Sequence, residues 1–428
     1  MALSTQPYKG TRDFYPDDKR IQKYMFSTLR KVVESFGYQE YDAPILEPIE
    51  IYLAKTGEEI INDQLYSFED KSGRKIAIRP EMTPSVNRMV AGRRQELAYP
   101  LRWYSIPNLW RYERPQKGRL REHWQLNVDL FGVSGIEADH EVITVVDTIL
   151  RTFGAPSGSY VIRISSRKIV EQFFRAYMQL SDQQFHDITK LIDRWHKIPH
   201  EEFHEQARTI LGNEQWHKEL IDLLDTKSLD KLPEKVKNHE SVEQLRSLVK
   251  LLNTSGVNSA EFDFSVIRGM DYYNGPVFEV FDTNPENIRS MFGGGRYDGL
   301  VGLFGAEPLP TVGFGMGDVT LQSFLQLHKL LPDLPTETDV AAILIGDVYE
   351  PAQKILTELR LAGVRVSVDS TGRKLDAQIK NAVKSGVRCA LFIGEEELKT
   401  GQFKLRDLGA GKEQVLTLAQ VASVLLTK

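Results

Sequence analysis

The sequence predicts an α+β domain built on an antiparallel sheet with flanking helices, interrupted by a helical insertion and followed by a smaller α/β domain. Three observations carry this. Strand-and-turn texture sets in after Gly37 and resumes at Glu261. Between Lys168 and Gly256 the chain is charged and leucine-bearing, keeps a helical period and shows no alternation. Beyond Pro332 and Pro335, short apolar runs are separated by helical stretches, the pattern of a small parallel α/β unit. At roughly 150 residues per domain, the 428 residues accommodate about three such parts. The expected division is 1–167 with 257–331 for the sheet domain, 168–256 for the insertion, 332–337 for a linker and 338–428 for the tail domain.

The elements follow in order. Ile21, Tyr24, Met25, Thr28, Leu29, Val32, Val33 and Phe36 share one face at 3.6-residue spacing, and Gly37 stops that helix. Lys71-Ser72-Gly73-Arg74 reads as a hairpin turn into the strand Lys75-Ile76-Ala77-Ile78-Arg79. One pair of strands flanks the loop 114–121 and another flanks the loop 268–275; an antiparallel sheet houses both economically. Gly293-Gly294-Gly295 and Gly313-Phe314-Gly315-Met316-Gly317 precede a helix ending near Leu331. In the tail, 340–345, 364–368 and 388–393 are the strands.

Composition narrows the class. With 41% hydrophobic and 26% charged residues and no low-complexity tract, the chain is an ordinary globular one. No apolar run approaches the roughly 20 residues that span a bilayer, and MALSTQPYKG lacks the apolar centre of a signal peptide. The single cysteine, Cys389, excludes an intrachain disulfide framework and any multi-cysteine metal site. A cytosolic protein is expected. The net charge of −5 advertises no polyanionic partner globally, although a local basic loop can still bind one.

Several segments could carry chemistry. Around the first loop, alternation sets Arg111 and Glu113 on one face, and Arg114, Lys117, Arg119 and Arg121 crowd a stretch broken by Pro115 and Gly118. On the return strand Trp124, Leu126, Val128 and Leu130 share one face, and Gln125, Asn127 and Asp129 the other. Burying that polar face without partners would cost several kcal/mol per group, so it is either a solvated surface or a site. The adjacent basic loop, suited to phosphate or RNA, favours a site. Arg268-Gly269-Met270-Asp271-Tyr272-Tyr273-Asn274-Gly275 could wall a small polar pocket, or be an exposed hairpin loop. In Arg79-Pro80-Glu81-Met82-Thr83-Pro84, Thr83 can cap a helix with Pro84 at its first position, leaving Glu81 for other work. The two glycine clusters would let backbone approach a flat ligand, but neither matches a phosphate-cradling pattern. His200-Glu201-Glu202-Phe203-His204 matches the zinc-protease string. It lies in the insertion, where six of the nine histidines fall, with Pro199 breaking any helix back to His196, and it reads as coincidence. No metal site built from protein side chains is expected.

Taken together, these strings resemble the histidyl-tRNA synthetase family of class II aminoacyl-tRNA synthetases over nearly the whole chain. Lys9-Gly10-Thr11-Arg12-Asp13 is similar to that family's opening. Gly37-Tyr38-Gln39-Glu40-Tyr41-Asp42-Ala43-Pro44 resembles the class II dimer-interface motif, with Pro44 its signature. Residues 110–119 resemble the second class II motif, and Arg268 to Tyr273 with Gly293 to Gly299 resemble the two histidine-specific motifs. The resemblance implies an antiparallel class II catalytic domain, an anticodon-binding tail, and ATP-dependent activation of L-histidine followed by transfer to tRNA(His). It further implies Mg2+, a homodimer and a cytoplasmic location.

Carried over residue by residue, it assigns Arg111 to the α-phosphate of ATP, Glu113 to the adenine amino group and Arg119 to the outer phosphates. Glu81, Thr83 and Gln125 would take the α-ammonium of histidine. Asp129 and Tyr273 would bond the imidazole, with Tyr272 and Tyr297 completing the wall. Arg268 would face Arg111 across the substrate carboxylate and the α-phosphate; Arg114 and Gln116 would read the acceptor end of the RNA. Two departures stand out. Asp129 occupies a position where many bacterial members carry glutamate, and Val319-Thr320 stands where the third class II motif has Glu-Arg. Arg119, Arg121 and Arg296 are the candidates for the missing charge. The rival reading is a synthetase paralogue serving as a histidine-binding regulatory module. A threonine enzyme is disfavoured because its zinc site uses cysteine.

Overall fold

A computed structural model describes residues 3–53, 63–116, 118–267, 272–287 and 289–427. The chain divides into two compact units, Met1–Phe14 with Gln22–Leu331 and Tyr15–Ile21 with Pro332–Lys428. In chain order the strands of the first unit are β1 (Gln39–Glu40), β2 (Leu46–Pro48), β3 (Ser67–Glu69), β4 (Lys75–Ile78), β5 (Leu101–Ser105), β6 (Asn108–Trp110), β7 (Glu122–Phe131), β8 (Tyr160–Ser166), β9 (Ala260–Phe262), β10 (Pro276–Asp282), β11 (Ser290–Arg296) and β12 (Thr311–Gly317). Nine of them form one sheet ordered β1-β5-β7-β12-β11-β10-β8-β9, with β6 paired to β7; β2-β4-β3 is a separate small sheet.

The centre of the large sheet is antiparallel, as expected, but both edges are parallel, β1 on β5 and β9 on β8. Strands flank 268–275 as expected, but they do not pair with each other: β9, before that segment, pairs with β8, and β10, after it, lies between β8 and β11. A parallel edge strand needs a crossover, and the helical insertion supplies the chain for it. The apolar face of β7 buries Leu126, Val128 and Leu130. The Ile136–Thr152 helix packs on β7 and β12, its buried stripe including Val142, Val146 and Ile149 at helical spacing.

Between Arg167 and Thr254 every regular element is helical. Phe173, Phe174 and Phe264 anchor this stretch, with ring centroids 5.0 and 5.3 Å from Phe173. The histidine-rich string opens the His200–Leu211 helix just after Pro199. His200 packs edge-on against Trp195 at 4.4 Å, and His204 Nδ1 shares a 3.0 Å hydrogen bond with His217 Nε2 of the next helix. These rings join helix to helix. Among the described residues no group of three or more His, Cys, Asp or Glu could hold a metal ion, and no helix is long and apolar enough to cross a membrane.

The second unit carries β13 (Val340–Leu344), β14 (Val366–Val368), β15 (Cys389–Ile393), β16 (Gln402–Asp407) and β17 (Glu413–Thr417), ordered β14-β13-β15-β16-β17. The first three are parallel, as expected; the antiparallel pair β16 and β17 was not anticipated. Its core gathers Val340, Leu356, Leu391, Ile393, Phe403 and Val421.

Candidate active site

A cavity of about 290 Å³ opens on the large sheet, its floor made by β7 and β12. Alternation along β7 directs His123, Gln125, Asn127 and Asp129 into it. Across the ladder, Gln125, Asn127 and Asp129 stand opposite Gly317, Gly315 and Gly313. A Cβ at Gly315 would lie 2.1 Å from Gln125 Nε2, and one at Gly313 would lie 2.4 Å from Asp129 Oδ1. The glycines of β12 therefore make room for polar side chains of the neighbouring strand. This differs from the sequence reading, in which they admitted a flat ligand, although Gly313, Gly315 and Gly317 do line the cavity.

One end of the cavity is a niche of phenols and carboxylates. Tyr272, Tyr273 and Tyr297 are buried, with ring centroids 4.8 Å apart for Tyr272 and Tyr273 and 5.5 Å apart for Tyr272 and Tyr297. The Tyr297 hydroxyl donates to Asp129 Oδ1, and the Tyr272 hydroxyl donates to Glu81 Oε2 at 3.2 Å. Burial pushes the Asp129 carboxyl up to about 7, against the opposing pull of the Tyr297 hydroxyl. Burial also holds the His123 ring down to about 3, helped by the nearby charges of Arg111 and Arg12, so that this imidazole is neutral.

The other end carries the cations. Arg111 lines the cavity with its Nε donating to Pro80 O at 2.9 Å, and Glu113 lies 3.6 Å from Arg119. Backbone bonds between Gln116 and Arg119 fold the basic loop into a tight turn, helped by a positive φ at Gly118. Val319 and Thr320 also line the wall; Thr320 Oγ1 donates to Met291 O at 2.8 Å.

Most of the residues singled out from sequence therefore meet in one cavity: Glu81, Thr83, Arg111, Glu113, Arg119, Gln125, Asp129, Tyr272, Tyr273 and Tyr297. Arg114 and Gln116 are exposed on the basic loop outside the wall. Arg268 and Asp271 lie outside the described residues, as does Lys117. Three expectations need correction. Thr83 is the first residue of the Thr83–Gly92 helix, not its cap, which is Met82 with no side-chain hydrogen bond. Arg121 is stacked 3.8 Å from the Tyr112 ring centroid and donates to Glu113 O and the Tyr8 hydroxyl. Arg296 is buried against Asp139 and donates to Val133 O and Gly135 O. Neither lines the cavity, which leaves Arg119, at 54% side-chain exposure, as the one of the three that does.

Sequence reasoning assigned no role to His123, Asn127 or Glu279, all of which line the cavity. A signal existed for each. His123 and Asn127 share the alternation of Gln125 and Asp129, and Glu279 is a lone carboxylate among the buried Phe278 and Val280 of β10.

An antiparallel sheet bearing an arginine- and carboxylate-lined cavity, with a separate α/β unit after it, is the architecture of a class II aminoacyl-tRNA synthetase. The family model for Histidyl-tRNA synthetase matches residues 10–319 and that for Anticodon binding domain matches 339–428. The histidine–tRNA ligase of Leptospira biflexa is 44% identical over 98% of this chain and 97% of its own length. That of Thermoplasma volcanium is 38% identical over 99% of each. The crystal structure of histidyl-tRNA synthetase from Nostoc sp. PCC 7120 superposes with a TM-score of 0.84 at 25% identity, covering 99% of both chains. The chain belongs to the histidyl-tRNA synthetase family.

Proposed function

We propose that the histidine–tRNA ligase activity of this chain runs in the cavity on β7 and β12, with the phenol–carboxylate niche holding the imidazole and the arginines holding ATP. The chain is an aminoacyl-tRNA ligase that uses ATP. The observation that carries the assignment of the site is the buried Asp129–Tyr297 pair in the same cavity as Arg111, Glu113 and Arg119. Imidazole offers two polar nitrogens, and a niche built to bond them rejects apolar analogues by on the order of 10⁴ without editing.

The chemistry is electrostatic. Attack of the substrate carboxylate on the α-phosphorus forms a carbon–oxygen–phosphorus link and expels pyrophosphate, bringing two anions together. Arg111, together with Arg268 in the role the family resemblance assigns it, would offset that repulsion and the charge gathering on the equatorial oxygens. The nucleophile is already ionised, so little acid–base help is needed. Glu113 meets the adenine amino group, and Glu81, Thr83 and Gln125 meet the α-ammonium. The terminal ribose hydroxyl of tRNA(His) then attacks the activated carbonyl, with Arg114 and Gln116 on the basic loop reading the acceptor end. Mg2+ fits as a partner of the triphosphate: a hard cation held by phosphate oxygens and water needs only one or two carboxylates, and Glu279 is a carboxylate in the cavity wall. When bound, it would offset phosphate charge.

The homodimer reading rests on exposed apolar residues around Pro44: Ile45 at 52%, Leu46 at 46% and, on the same small sheet, Phe68 at 48%. A single cysteine suits the reducing cytoplasm, where we place the protein. No observation favours a regulatory module without ligase activity. Amino-acid-dependent ATP–pyrophosphate exchange with all twenty amino acids is the test: histidine alone should drive it, and Arg268→Ala should abolish it while histidine binding stays within a modest factor. Exchange driven by another amino acid, or histidine binding without exchange, would overturn the reading.

A further inference from the structure

Asn127 sits at 4% exposure between two residues given substrate roles and lines the same cavity without a substrate role of its own. Its own bonds are local and directional. Asn127 Nδ2 donates to Gln125 O at 3.0 Å, and Asn127 Oδ1 accepts from Gln125 Nε2 at 2.8 Å. A backbone carbonyl can only accept, so it settles which end of the Asn127 amide faces it. The other end, Oδ1, then faces the Gln125 side chain and can only accept in turn. Gln125 must therefore present Nε2 to Asn127 and turn Oε1 the opposite way. Gly315 makes room for this arrangement, because a Cβ there would lie 2.1 Å from Gln125 Nε2.

We infer that Asn127 is a positioning residue that aims the Gln125 carboxamide oxygen at the α-ammonium of histidine. The inference rests on the reading that Gln125 receives that ammonium. An unaimed glutamine would present its NH₂ half of the time, and a donor facing an ammonium is repulsive. The neighbouring His123 ring, which also bonds the Gln125 side chain, is neutral and adds no charge against an ammonium. Fixing the amide before substrate arrives makes the ammonium contact cost less ordering.

The test compares histidine with imidazolepropionate, which keeps the imidazole and carboxylate but lacks the ammonium. In pyrophosphate exchange, Asn127→Ala is expected to raise the histidine KM by about tenfold while kcat, the ATP KM and the inhibition constant of imidazolepropionate stay within about twofold. If the imidazolepropionate constant rises in step with the histidine KM, Asn127 merely holds the floor in shape and the inference is overturned. An unmoved histidine KM overturns it as well. Gln125→Ala separates this from the underlying assignment: an unchanged histidine KM there means that Gln125 does not meet the ammonium at all. Should Asn127→Ala fold poorly, Asn127→Ser is a polar substitute too short to bond both the carbonyl and the side chain of Gln125. It should raise the histidine KM with the imidazolepropionate constant within about twofold, and parallel rises, or an unmoved histidine KM, would again overturn the proposal.

Discussion

At the level of single residues, burial decides what each charge can do. Asp129, held near 7 by desolvation, keeps its proton several pH units longer in the folded chain than in the unfolded one. A carboxyl whose pKa rises on folding contributes stability that is complete below about pH 4 and is lost as pH climbs through about 7. Asp129→Asn keeps an acceptor for Tyr297 without the buried charge. Its thermal midpoint should exceed that of the parent at pH 8, with the gain vanishing near pH 4. Histidine-dependent exchange should fall ten- to a hundredfold, roughly the loss of one charged hydrogen bond. Equal midpoints at pH 8 would contradict a desolvated carboxylate. The three arginines once grouped as phosphate binders separate by the same logic. Arg119→Ala should raise the ATP KM by about tenfold and leave the melting curve alone. Arg296→Ala strands the buried Asp139 and should cost about 3 to 5 kcal/mol in denaturant unfolding. Arg121→Ala removes a stacked guanidinium and should lower the midpoint without a selective effect on ATP.

The strands show why two adjacent glycine clusters are not interchangeable. A Cβ at Gly294 would come 2.1 Å from Gly313 O, a backbone atom locked in the β11–β12 ladder, and nothing there can yield. At Gly315 the obstacle is the end of a flexible side chain, Gln125 Nε2. Gly294→Ala should therefore destabilise by roughly 3 kcal/mol or more, or fail to fold. Gly315→Ala should fold and express its cost as a raised histidine KM, because Gln125 must turn from its place. Melting curves beside exchange kinetics would decide; the reverse pattern would refute this account of the sheet. Register underlies both expectations. A shift of β12 by one residue would put Val312, Phe314 and Met316 against the polar face of β7 and close the cavity.

For the whole molecule, the exposed apolar surface around Pro44 sets the expectation. Ile45 and Leu46 are too exposed to serve the core of one chain, and pairing with a second copy would bury them. Light scattering should give twice the chain mass, and Leu46→Asp should shift it toward the single-chain mass at micromolar concentration. A parent chain that is monomeric at that concentration would remove the dimer from the proposal.

Much of this was legible in the sequence, since alternation along β7 and the periodicity of the helices are local properties that neighbouring residues enforce on each other. The polar face of Gln125, Asn127 and Asp129, the helical stretch and the parallel strands of the tail were all readable at short range. What alternation could not say was which partner strand each face meets. The placement of β9 on β8, the role of Gly313 and Gly315 as space for a neighbour's side chains, and the diversion of Arg296 to Asp139 depend on pairings between residues far apart in the chain. The sequence by itself determined the residue types and the side of the strand from which they project. Only the tertiary structure decided which charges reach the cavity and which are consumed in the core, because burial and hydrogen-bond partnership belong to the packed whole and not to any single segment.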